Sequence, residues 1–68
     1  MINTKKLKAR MVELDLGQKT VADALKIAQA TLSQKLNGIR PMYLDEAEAL
    51  ADLLEIEDDQ FGSYFFSR

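Results

Sequence analysis

The sequence predicts an all-α domain, a compact bundle of five short helices. Apolar residues recur at three- and four-residue spacing along nearly the whole chain. Period-two alternation and β-branched runs, the marks of strands, are almost absent. The breaks between periodic stretches are short, which forces successive helices into contact. The 68 residues are read as one domain, spanning 1–68. A core of that size is small and its stability marginal.

Helix 1 is expected over residues 4–14, with Leu7, Met11 and Leu14 on one side and Asn3 or Thr4 as N-cap. "DLG" (Asp15 to Gly17) stops it, with Gly17 suited to a positive φ. Helix 2 covers about 18–25, with Val21, Ala22 and Leu25 inward, and "KIA" is a short break. Helix 3 runs from 28 or 29 to 36. Asn37 and Gly38 suit a left-handed cap, and Pro41 blocks continuation. Helix 4 covers 44–54, with Leu44, Ala47, Leu50, Ala51 and Leu54 inward and Asp45 and Glu46 in its first turn. Asp58 or Asp59 caps a short fifth helix through Phe61, and the C-terminal helix and aromatic tail together occupy 58–68.

Composition narrows the function classes. The chain has no cysteine and no histidine, so it lacks thiolate zinc ligands, disulfides and the usual general base near neutral pH. No cofactor, metal or small-molecule ligand is expected, and no enzyme activity. No apolar run approaches a membrane span, and no signal-type apolar region follows the basic start, so a cytoplasmic setting is expected. The net charge of −2 hides an asymmetry. Residues 1–40 hold eight bases and three acids, a net of +5, and residues 41–68 hold one base and eight acids, a net of −7. Such a division points to a basic working face and an acidic back.

Helices 2 and 3 are each about two turns long and very tightly joined, an arrangement like a helix-turn-helix, here about 18–37. Ala22 is small where the two helices would cross, and Leu32 is aliphatic where the second would dock. With Gln29 at 0° and about 100° per residue, Leu32 and Leu36 point to about 320°. The opposite side belongs to Ala30 and Gln34, flanked by Asn37 and Thr31, with Ser33 and Lys35 at the edges. Glutamine can pair bidentately with adenine, and an alanine or threonine methyl can meet the thymine methyl. Solubility alone would favour Glu and Lys on such a face.

The run "QKTVADALKIAQATLSQKLNGIRP", with "LKARMVELDL" before it and "LDEAEALADLLEI" after it, resembles the Cro/C1-type (XRE-like) helix-turn-helix family of phage and prophage repressors and small bacterial regulators. The resemblance implies a lambda-repressor-like DNA-binding domain. Its implied function is transcriptional regulation, with repression by operator occupancy and helix 3 in the major groove. It implies base contacts by Gln29, Ala30 and Gln34. It implies phosphate contacts by Gln18 at the start of helix 2 and Asn37 just past helix 3, with Arg40 in the loop along the backbone. Lys19, Thr20, Thr31, Ser33 and Lys35 become secondary contacts. The family often pairs an arginine at the place of Arg10 with an acid near the end of helix 3. Leu36 stands in the acid's place, leaving phosphate as the alternative partner for Arg10.

Two residues depart from the family pattern. Lys26 stands where a turn glycine is typical, so it either takes a positive φ or the turn differs. Lys35 stands at a usually apolar place, which would rotate helix 3 slightly. Lys5, Lys6 and Lys8 are read as a solvated face. The aromatic residues Phe61, Tyr64, Phe65 and Phe66 either close the core or form contacts of a homodimer on palindromic double-stranded DNA. A competing reading is a protein-interaction module on the same fold, antitoxin-like or anti-repressor, working through the acidic and aromatic C-terminal half.

Overall fold

A computed structural model describes residues 2–66. Five helices follow one another: α1 (Thr4–Glu13), α2 (Gln18–Leu25), α3 (Gln29–Leu36), α4 (Leu44–Leu53) and α5 (Asp58–Phe65). No strand occurs among the described residues. The last two positions of the expected 58–68 segment lie outside the described residues.

Local chemistry sets the helix starts. Asn3 is the N-cap of α1, its Oδ1 accepting the Lys6 backbone N–H at 3.1 Å. Thr4 is spent elsewhere, its Oγ1 donating to the Leu36 carbonyl and tying the start of α1 to the end of α3. At α4 the Glu46 carboxylate reaches back to accept the Tyr43 N–H at 2.9 Å.

The helices α1 to α4 end in the same way. In each, a residue takes a left-handed conformation, at the C-cap itself in α2 and just past it in the other three, and the next amide reaches back five residues. These bonds are Leu16 to Met11, Ile27 to Ala22, Ile39 to Gln34 and Ile56 to Ala51, at 2.8 to 3.0 Å. The left-handed residues are Asp15 (φ 58°), Lys26 (φ 60°), Gly38 (φ 75°) and Glu55 (φ 55°). Lys26 thus takes the positive φ that its place requires. Gly17 does not; it is the extended N-cap of α2, at φ −78°. The sequence repeats "LDL", "LKI" and "LEI" mark three of these stops. In each, the second aliphatic (Leu16, Ile27 or Ile56) packs onto the core. After α3 the equivalent Ile39 is 73% exposed.

Leu7, Val21, Leu32, Leu36, Leu50 and Leu54 are fully buried, so α1 to α4 all feed one core. Helix α2 packs on α3 and α4, and α1 on α5. Leu44, expected inward, is 59% exposed. Helix α5 runs to Phe65 rather than stopping at Phe61. Phe61 and Phe65 lie one turn apart with ring centroids 4.6 Å from each other, and Phe65 is buried. The Asn3 N–H also bonds the Tyr64 carbonyl at 2.8 Å, so the N-terminal segment rewards the longer helix. Glu57, rather than Asp58 or Asp59, is its N-cap residue.

Candidate functional site

Helix α3 turns Leu32, Lys35 and Leu36 inward. Lys35 is only 8% exposed, and its ammonium pairs with the Glu46 carboxylate on α4. Its expected role as a secondary recognition contact is therefore corrected, because the charge that would meet a phosphate is buried against a carboxylate. Including Lys35 in the buried arc swings the outward direction by about 25° relative to one set by the two leucines. Ala30 becomes the centre of the free face, with Gln34 and Asn37 beside it. Ala30, Gln29 and Asn37 are exposed, while Thr31, Ser33 and Gln34 are half-buried. Among the described residues, Gln29 and Gln34 make no intramolecular side-chain hydrogen bond. Their amide donors and acceptors are available to a ligand.

The C-terminal end of α3 gathers further groups. Asn37 Nδ2 donates to the Ser33 carbonyl at 2.8 Å, which fixes the amide against the helix. Its Oδ1 accepts from the Lys8 ammonium at 3.2 Å. Lys8 thus brings a positive charge beside α3, with donors to spare. The sequence marks Lys8 only as part of a solvated face, and no spacing rule links it to a residue 29 positions away. The Gln34 carbonyl accepts both the Ile39 N–H at 2.9 Å and the Arg40 N–H at 3.3 Å. This draws the exposed Arg40 back to the end of the helix.

Gln18, Lys19 and Thr20 form the first turn of α2. Gly17 supplies no side-chain cap there, so the turn's backbone N–H groups face outward from a positive helix end. Lys19 pairs with Asp23 at 3.3 Å, an exposed contact of little energetic weight. Arg10 is committed elsewhere. Its Nε donates to the Leu54 carbonyl at 2.8 Å and its Nη2 to the Glu55 carbonyl at 3.4 Å. The guanidinium closes the end of α4, so two of the donors that a phosphate contact would use are held by carbonyls.

The aromatic residues divide. Phe65 is buried, and Phe61 and Tyr64 pack against the core. Phe65 is therefore withdrawn as a dimer contact. The Tyr64 ring carries the Lys6 ammonium 4.6 Å from its centroid. Phe66 is 64% exposed and, with Ile2, Met42 and Leu44, edges an open groove of about 580 Å³.

The carboxylates of the C-terminal half face water, apart from Glu46. The Lys35 hydrogen bond holds the Glu46 carboxyl below the ordinary glutamate range, helped by the Tyr43 N–H and opposed by burial. Among the described residues, no cluster of three or more His, Cys, Asp or Glu side chains could hold a metal ion. No helix among them is long and apolar enough to cross a membrane. No family model matches the chain, and neither a curated protein nor a solved structure matches it.

Proposed function

We propose that the chain is a sequence-specific double-stranded DNA-binding regulator. In this reading α2 and α3 form a helix-turn-helix of the Cro/C1 type, and α3 enters the major groove. The observation that carries it is the free face of α3. Ala30, Gln34 and Gln29 offer a methyl group and unspent amides, with Lys8, Asn37 and Arg40 gathered at one end of the helix. Amides and methyls read base edges, and cations and free N–H groups meet phosphates. Gln18 and the open first turn of α2 supply a second phosphate anchor. Regulation is by occupancy of an operator, as a repressor. Two copies would bind half-sites roughly 34 Å apart. Phe66 and Leu44 provide exposed apolar surface for pairing.

Equilibrium binding to duplex DNA across a salt series tests this reading. Affinity should fall steeply and linearly in log–log form as salt rises. Absence of binding at low salt would sink it.

A specific observation favours a second reading, a protein-interaction module. A groove between α4 and α5 has Ala51, Ile56 and Phe61 for its apolar part and Glu48, Asp52 and Asp58 around it. Charge reversal at Glu48 and Asp52 should abolish the working activity under this reading and leave duplex binding intact under the first.

A further inference from the structure

We infer that Glu46 is a specificity-determining residue that never touches the ligand: through Lys35 it sets the rotation of α3. The inference rests on the DNA-binding reading of that helix.

Lys35 lies on the flank of the inward arc, beside Leu32 and Leu36, yet its side chain is 10% exposed. A lysine buried among leucines has two physical options. It can turn outward to keep its hydration, or it can find a carboxylate to offset the lost water. Glu46 provides the second option, and it is itself held in place. One carboxylate oxygen accepts the Tyr43 N–H at 2.9 Å, and the other takes the Lys35 ammonium. The Tyr43 ring lies 5.2 Å from the same ammonium. The start of α4 is thus a fixed cradle for one side chain of α3.

The angular consequence is large on the scale of base recognition. With Lys35 drawn in, Ala30 heads the free face. With Lys35 released, the two leucines alone would define the buried side, and Gln34 would head it. A roll of about 25° moves side-chain tips on a helix of this radius by about 2 Å. Hydrogen bonds occupy a window of only about 0.5 Å in length. A buried ion pair seldom adds much stability over well-packed apolar residues, and fixing register is its best-attested use. The pair therefore acts on which bases are read more than on whether DNA is bound.

Wild type, Glu46→Ala, Glu46→Gln and the double variant Lys35→Met/Glu46→Leu are compared. A preferred duplex is first selected with wild type from a randomised library. Each protein is then titrated with that duplex and all its single-base-pair variants, with circular dichroism confirming helicity. Glu46→Ala should shift base preference about tenfold at the pairs facing Ala30 and Gln34, while some duplex remains bound with near wild-type affinity. Glu46→Gln keeps the Tyr43 bond without the charge, and it serves with the same expected direction if the alanine variant fails to fold. The apolar double variant seats α3 inward again and should restore wild-type preference to within about threefold. Variants that share wild-type preferences, or that weaken every duplex alike, would overturn this inference alone. A wild type that selects no sequence would remove the DNA-binding reading, and this inference with it.

Discussion

The Arg10 guanidinium and the Leu54 carbonyl, 2.8 Å apart, join the first helix to the end of the fourth. The side chain is three-quarters buried, and it also reaches the Glu55 carbonyl. Arg10→Ala leaves a carbonyl at the end of α4 without its charged donor. Stability should fall by about 2 kcal/mol. Under the proposed DNA-binding function, the salt dependence of duplex binding should not change, since this guanidinium is engaged by the carbonyls at the end of α4. Urea unfolding and a salt series on the variant check both parts.

Lys26 holds a left-handed conformation at φ 60°. A side chain there costs roughly 1 kcal/mol, which glycine avoids at the expense of a looser unfolded chain. Lys26→Gly should raise stability by about 0.5 kcal/mol, and Lys26→Val should lower it by more than 1 kcal/mol in rough terms. The midpoints of urea unfolding give the signs directly.

Glu46 binds its proton less readily in the folded state than the ordinary glutamate value of 4.5. Below that value the unfolded chain holds more protons at this site than the folded one. Stability therefore rises with pH there. The contribution is complete above the unfolded value and is lost as pH falls through the folded one. Unfolding measured from pH 6 down to the acid limb should show a steeper loss for wild type than for Glu46→Gln. Parallel curves would mean that the Lys35 pair carries no such linkage.

Phe65 and Phe66 are neighbours with opposite roles. Phe65→Ala empties a site in a small core and should cost about 3–5 kcal/mol, a large share of the stability of any small domain. Phe66→Ala removes a ring that is 64% exposed and should leave the melting curve almost unchanged. Thermal unfolding by circular dichroism separates the two.

Helices α1 to α4 could be read from the sequence because their signals are local: an Asn3 cap, leucines at helical spacing, and a stop after each run. Where partners lie far apart in sequence, local reading fails. The length of α5 depends on Phe65 packing and on the Asn3 bond to Tyr64. The fate of Arg10 depends on carbonyls that carry no side-chain signature. Gly17 is the freest residue of the first stop, yet Asp15 is the one that turns left-handed. The stop is decided by where the following aliphatic, Leu16, can pack. At the candidate site, Ala30 stands exposed where helical phase puts it, and Gln29, which phase alone sets near the leucine side, is exposed because it opens the helix. Lys35 does not, because Glu46 reaches it across a loop. Lys8 joins the site only through a contact with Asn37 that folding creates.

The central claim is that the free face of α3 reads base edges. Its most direct test is Gln34→Ala, titrated against a preferred duplex and its single-base-pair variants at fixed salt. The account predicts a loss of about 1–3 kcal/mol confined to one or two base pairs, with discrimination relaxed at those positions. Equal weakening on every duplex would contradict it.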